Sequence, residues 1–184
     1  MKIYKNLPVD GEVIPTTDEV AYSLDRNKLH KWVYNKLLVN ELQGIPYGIC
    51  GIEPTEYPVI VKPIFNLEGG GTGAIVAHNI EEYNKYKKPG YFWSRFQMGE
   101  HYSVDLIVVD GSIKELICFR AEKLQLGLFD YWERYLLPSN LVSYVTDFID
   151  KYFTNYSGCI NLEIIGEAIT EIHLRMGDID RLAD

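Results

Sequence analysis

The sequence is short of basic residues, of cysteine and of long apolar runs. Its 184 residues include 18 Lys plus Arg against 26 Asp plus Glu, a formal net charge of −8. A chain of that balance repels phosphodiester backbones and anionic lipid, which argues against a general nucleic-acid or membrane-surface binder. The one basic run, Lys85-Tyr-Lys-Lys88, sits beside Pro89-Gly90 and reads as a solvated helix end. The three cysteines, Cys50, Cys118 and Cys159, are far apart and form no Cys-x-x-Cys pair. That excludes a disulfide framework and a structural zinc site, and Cys118 and Cys159 read as small buried apolar groups. No apolar run approaches the ~20 residues a membrane helix needs. The first residues, MKIYKNLPVDGEV, lack the apolar stretch of a signal peptide. Repeats and low-complexity segments are missing as well. The expectation is a soluble cytoplasmic protein with reduced thiols.

What is present is ample core material: 47% hydrophobic residues and 14 tyrosines. Residues 1–26 read as a polar, irregular lead-in. Residues 28–42 carry apolar positions at helical spacing (Leu29, Trp32, Val33, Leu37, Leu38, Leu42), with Asp25 or Asn27 as cap and Gly44 as stop. Extended segments follow at 45–50 and 57–63, then a glycine loop at 68–74, and a short helix at 79–86 capped by Asn79. Strands are predicted at 91–96, 101–109 and 113–120, the last two joined by an Asp110-Gly111 turn. A helix over 140–152 precedes two closing strands, 160–165 and 169–176. Alternating strands and helices followed by antiparallel hairpins predict an α+β fold.

The closing hairpin carries the densest chemistry. Asn161 and Glu163 alternate with apolar residues on one strand; Glu171, His173 and Arg175 alternate with Ile172, Leu174 and Met176 on the other. A two-residue turn at Gly166-Glu167 would set Glu163 opposite Thr170 and mix the faces. A three-residue loop including Ala168 pairs Glu163 with Glu171 and Asn161 with His173, and is the preferred register. Two carboxylates directly opposite repel. A bridging divalent cation relieves the conflict, and Mg²⁺ or Mn²⁺ suits such oxygen ligands, with Arg175 placed for an anion. The competing reading is a one-sided sheet with a wet polar face.

The loop Glu68-Gly-Gly-Gly-Thr-Gly-Ala74 exposes backbone N–H groups suited to phosphate oxygens, though a hairpin tip would look the same. It is neither a Walker A nor a dinucleotide-binding motif. Lys62 ends the apolar run Pro58-Val-Ile-Val-Lys62, where a lysine either snorkels to water or meets a phosphate.

In this order, four segments resemble the ATP-grasp superfamily: Asn35-Lys-Leu-Leu-Val-Asn-Glu-Leu-Gln-Gly-Ile-Pro-Tyr47; Pro58-Val-Ile-Val-Lys-Pro63 with its glycine loop; Met98-Gly-Glu-His-Tyr-Ser-Val-Asp105; and Glu171-Ile-His-Leu-Arg175. The resemblance covers residues 35–177. It implies two α+β lobes with antiparallel sheets clamping a nucleotide, here residues 27–95 and 96–184. It further implies Mg-ATP-dependent phosphorylation of a small-molecule carboxylate, followed by attack of an amine or thiol acceptor on the acyl phosphate. On that pattern Lys36 and Lys62 hold the α- and β-phosphates. Gly69, Gly70, Gly71, Thr72 and Gly73 close over the β- and γ-phosphates. Ser94 and Phe96 offer backbone groups to adenine, and His101 falls at the ribose. Glu163 and Glu171 bind Mg²⁺ (or Mn²⁺), His173 stands where the family has a metal-binding Asn, and Arg175 stabilises the transferring phosphoryl group. Arg120 borders the acceptor and is assigned as a carboxylate clamp. Three departures, His173, a linker Trp93-Ser-Arg-Phe96 without the usual acidic residue and, most seriously, the missing N-terminal domain, leave a non-catalytic nucleotide-binding module as the alternative and a plain α+β interaction protein as a third reading. Only about 35 residues precede Lys36, where family ligases usually carry a further α/β domain, which leaves a compact version, a fragment, or a chain that takes a substrate wall from a second copy or a partner protein. Elsewhere, Asp105 reads as a hydrogen-bonded structural carboxylate, and His30 and His78 as surface residues. No Ser-His-Asp or Cys-His arrangement points to a hydrolase.

Overall fold

The computed structural model describes residues 15–65, 71–125 and 128–177. Gly69 and Gly70, the front of the glycine loop, lie outside them. Two antiparallel sheets form the α+β molecule. One has the order β1 (Tyr47–Ile49), β4 (Tyr91–Arg95), β2 (Val59–Pro63), β3 (Ile75–Ala77). The other runs β7 (Leu128–Tyr135), β6 (Ser112–Gln125), β5 (His101–Val109), β8 (Gly158–Ile165), β9 (Ala168–His173). Helices are α1 (Asp18–Ser23), α2 (Lys36–Leu42), α3 (Ile80–Tyr86) and α4 (Ser139–Tyr152). Among the described residues no helix is long and apolar enough to cross a membrane.

The small sheet packs Val59, Val61, Ala77 and Trp93 around Tyr83 of α3, whose cap is Asn79 accepting from the Glu82 amide. The larger sheet buries Val104, Leu106, Ile160, Leu162, Ile164, Ile172 and Leu174 against Leu141, Val145, Phe148 and Ile149 of α4. Ala21, Val33, Tyr34 and Val39 close the same core, so the lead-in read as irregular supplies a packed helix, α1.

The single helix expected over 28–42 is broken. A 3₁₀ turn occupies Lys31–Tyr34, and α2 begins after Asn35, whose side chain accepts from the Leu37 and Leu38 amides. The cap outcompetes continuation because an Asn carboxamide satisfies two amides that a helix start leaves open. Starting α2 at this point lets the Lys36 amide donate to Ile64 O at 3.0 Å. That bond ties the helix start to the strand carrying Lys62. α2 also covers the edge of β9, where the Gln43 carboxamide pairs with both backbone groups of Ile169 at 2.8 Å.

The closing hairpin has the preferred register, with Glu163 opposite Glu171 and Asn161 opposite His173. It is reached differently from the three-residue loop expected. Ile165 pairs with Ala168 across a two-residue turn, and Thr170 is the extra residue of a β-bulge. The bulge returns Ile169 to the apolar core and leaves Glu171 on the polar face. The strand β7 lies in an aromatic, charged stretch for which the sequence predicts no strand. His30 is 8% exposed and stacked on Phe153 at 5.5 Å, so it is a core residue and not the surface residue expected.

Candidate functional site

Alternation along three neighbouring strands gives the large sheet one apolar face and one polar face. On the polar face the registers align Ser103, Glu163 and Glu171 in one rank and Asp105, Asn161 and His173 in the next. This face is not wet: Ser103, Asp105 and Asn161 are each 1% exposed. Such burial demands partners. Asn161 donates to Ser103 Oγ at 2.8 Å and to Asp105 Oδ1 at 2.9 Å. Asp105 also accepts from the Gly177 amide at 2.7 Å, fixing the chain beyond β9. Asp105 is therefore the hydrogen-bonded carboxylate that its strand position suggested.

The basic groups converge on the same face. Lys36 Nζ lies 2.7 Å from Glu171 Oε1. Lys62 projects from β2 and donates to the Thr170 carbonyl, the bulge residue, at 3.2 Å. Burial drives the Lys62 pKa down to about 8, with Glu171 opposing the shift and Lys36 adding to it. Burial alone would raise Glu171, but Lys36, then Lys62 and His173, outweigh it and hold the carboxyl at about 2. His101 Nε2 contacts Glu163 Oε2, and its ring meets Trp132 edge-on at 5.6 Å. The cross-strand carboxylate pair is thus relieved by Lys36 and His101.

Two sequence features acquire partners that the sequence did not suggest. Asp18 of α1, 3% exposed, lies 2.9 Å from His173 Nδ1 and 3.2 Å from Arg175 Nη2. Arg175 sits just past β9, and its Nη1 donates to Met176 O at 2.8 Å. Asp18 escaped notice because a single Asp in a polar segment carries no local signal, and its partner is 155 residues away. Arg120 is held by Glu133, with Nε–Oε1 at 2.9 Å, lies 3.8 Å from Glu100, and stacks over Tyr135. Its guanidinium is thus engaged with carboxylates of its own chain.

The other assigned residues fall as follows. Gly71, Thr72 and Gly73 form an exposed turn into β3; Gly73 has φ +79°, and a Cβ there would come within 2.6 Å of the Tyr91 hydroxyl. Ser94 lies mid-β4 between β1 and β2, so its backbone serves the sheet. The Phe96 amide donates to Pro58 O at 3.3 Å. The hairpin turn touches this linker directly, with the Gly166 amide donating to Glu100 O at 2.9 Å. Among the described residues no three His, Cys, Asp or Glu side chains converge as a preformed metal cage. The donor set still fits a divalent cation: two opposed carboxylates, with an imidazole nitrogen beside Glu171 at 3.8 Å.

No protein-family model and no curated protein sequence matches the chain. Solved structures do. An L-amino acid ligase from Bacillus licheniformis superposes with TM-score 0.64 at 14% identity, over 83% of this chain and 43% of that one. Biotin carboxylase from Campylobacter jejuni, in a β,γ-ATP complex, gives TM-score 0.60 at 16% identity over 84% and 44%. The N5-carboxyaminoimidazole synthetase from Staphylococcus aureus, complexed with ADP, gives 0.60 at 13% over 81% and 46%. The chain spans less than half the length of each. At such identities the likeness is one of architecture, and by that architecture the chain has the ATP-grasp fold.

Proposed function

We propose that the chain is the nucleotide-binding and phosphoryl-transfer unit of an ATP-dependent ligase. The observation that carries this reading is the meeting of Lys36, Lys62, Glu163, Glu171, His173 and Arg175 on one buried polar face between the two sheets. Six charged or polar side chains gathered there are costly unless they pair with one another or meet a charged ligand, and the opposed pKa shifts of Lys62 and Glu171 favour a site for such a ligand. In phosphoryl transfer the protein's task is mostly positioning and charge neutralisation. Lys36 and Lys62 neutralise the polyphosphate, Lys36 leaving Glu171 as the nucleotide enters. A substrate carboxylate oxygen attacks the γ-phosphorus and ADP leaves. Arg175 stabilises the charge on the phosphoryl group in flight and on the acyl phosphate that results. An amine or thiol then attacks the acyl carbon, losing its proton, and inorganic phosphate departs. Glu163 and Glu171 would hold Mg²⁺, which when bound neutralises the β- and γ-phosphate oxygens. Arg120, paired with Glu133, lies opposite Tyr102 on the core-side face of the sheet, the reverse of the face carrying Glu163 and Glu171, so the acceptor clamp read for it is not carried into this proposal.

A second reading is a nucleotide-binding module without ligase activity. The observation favouring it is that both candidate metal carboxylates already have basic partners, Lys36 and His101. One experiment separates the two. Calorimetric titration with ATP and Mg²⁺ is expected to show binding that is lost in Lys62→Ala and Glu171→Ala. The same protein, given pooled amino acids, is expected to release ADP and phosphate. Binding without acceptor-dependent release would select the second reading, and absence of binding at millimolar ATP would reject both.

A further inference from the structure

The small sheet carries a cavity on the face turned away from the proposed nucleotide site. Val61 stands opposite Ile75 and Trp93, and Pro63 opposite Tyr91, so Val61, Ile75 and Tyr91 share the α3 face of the sheet. Lys62, one residue on from Val61, projects the other way, toward Thr170 of the large sheet. Between the α3 face and the C-terminal end of α3 lies a cavity of about 170 Å³. That is close to the ~150 Å³ that accommodates a benzene ring in an apolar interior. Val61, 1% exposed, lies at its base beside Ile75, Tyr91 and Gly73, and the exposed Lys85 and Lys88 line its mouth.

The lining selects a kind of ligand. The chain has a net charge of −8, yet Lys85, Lys87 and Lys88 gather here, and among the described residues none of them pairs with a carboxylate. Two of them rest on aromatic rings instead. Lys88 Nζ lies 4.2 Å from the Tyr91 ring centroid and Lys87 Nζ 5.8 Å from that of Tyr83. The basic run is thus held at the cavity and is more than a solvated helix end. Ammonium groups at the mouth of an apolar recess suit a molecule with one anionic group and a ring-sized apolar body. A further wall is the glycine turn. The Ala74 amide donates to Gly71 O at 3.0 Å, and Gly73, with φ +79°, packs so closely on Tyr91 that a Cβ would lie 2.6 Å from its hydroxyl.

We infer that this recess is a second binding site, for a small organic anion of the aromatic carboxylate class, seated behind the glycine turn. An occupant bears on Tyr91, and through it on Gly73, from the face opposite Lys62. The site stands on its own lining; what its occupancy does to a bound nucleotide rests on the proposed function.

Proton–nitrogen correlation NMR of the ¹⁵N-labelled full chain tests the site with no nucleotide present, so the outcome is independent of the ligase reading. Benzoate is expected to shift the amides of Val61, Gly73, Ile75 and Tyr91 with a Kd on the order of 1 mM, while those of Asn161, Glu163 and Glu171 stay in place. Benzyl alcohol carries the ring without the charge, and inorganic phosphate the charge without the ring. Each is expected to bind about tenfold more weakly than benzoate, or weaker still. Benzyl alcohol or phosphate binding as well as benzoate overturns the organic-anion assignment. Benzoate that shifts none of the four amides at tens of millimolar overturns the site, and so do shifts confined to the face that carries Lys62. Lys85→Gln combined with Lys88→Gln changes only exposed side chains and spares the core. In that variant benzoate is expected to bind about 3–30-fold more weakly, and an unchanged affinity overturns the part assigned to the lysines.

Discussion

At the scale of single residues, the unusual feature is a lysine kept below its ordinary ionisation range. Lys62 is buried on a face it shares with Lys36, and its pKa of about 8 makes the charged amine only half populated at pH 8. A polyphosphate beside it restores the charge, so nucleotide binding at that pH draws in up to about half a proton. Titrations of ATP in two buffers of different ionisation enthalpy measure that uptake, and Lys62→Met is expected to abolish it. Glu171 carries the opposite shift. Its folded pKa of about 2 lies below the ordinary 4.5, so its ion pairing stabilises the fold above about pH 4.5 and is lost as pH falls toward 2. The shift corresponds to a few kcal/mol at most, at about 1.4 kcal/mol per unit. Because Lys36 is the largest lowering influence, Lys36→Met should lose less stability than wild type between pH 6 and pH 3 in urea unfolding. An equal loss in both proteins would remove Lys36 as the principal partner. Both lysines and both glutamates stood out in the sequence through motif and alternation. Their mutual pairing did not, since nothing local records which of several cations a buried carboxylate meets.

At the scale of elements, the hairpin β8–β9 decides whether the site exists, and its turn is pinned by contact with the inter-sheet linker. Gly166 has φ +61°, and a Cβ there would lie 2.4 Å from Met98 O. Both the backbone conformation and the clash oppose a side chain, so Gly166→Ala should destabilise the protein by about 1–3 kcal/mol. Equilibrium urea unfolding checks this, and a change within error would mean that the linker yields freely. The register of this hairpin was legible because burying one apolar face forbids a one-residue slip. The bulge at Thr170 was not, because a longer turn satisfies the same alternation. The break at Asn35 was hidden for a similar reason: apolar spacing continues through it, and only the contact of Lys36 N with Ile64 O reveals why the helix restarts there. β7 was missed because its core-side positions, Tyr131, Glu133 and Tyr135, stand opposite Glu122, Arg120 and Cys118, so a charge interrupts the apolar alternation.

At the scale of the whole molecule, Lys62 of β2 links the two sheets by reaching Thr170 O of β9 at 3.2 Å. The fold class and the order of most elements were legible, since turn residues and period changes mark them locally. The packing of α1 into the larger core was not, because it depends on contacts remote in sequence. A ligand bound between the sheets touches both, so it should stabilise the protein as a unit. A ligand at one hundred times its Kd adds about 2.7 kcal/mol to the folded state. For a chain of this size, about 2–4 °C per kcal/mol, that is a rise in Tm of about 5–10 °C. ATP with Mg²⁺ is expected to give that rise in scanning calorimetry, with both sheets melting in one transition. In Glu171→Gln the rise should shrink, because the carboxylate proposed to hold the metal is gone while the size of the side chain is kept. A rise of the same size in Glu171→Gln would mean that the nucleotide binds without that carboxylate. No rise in wild type at millimolar ATP would mean that the cleft does not hold the nucleotide on its own, whatever the fold it shares.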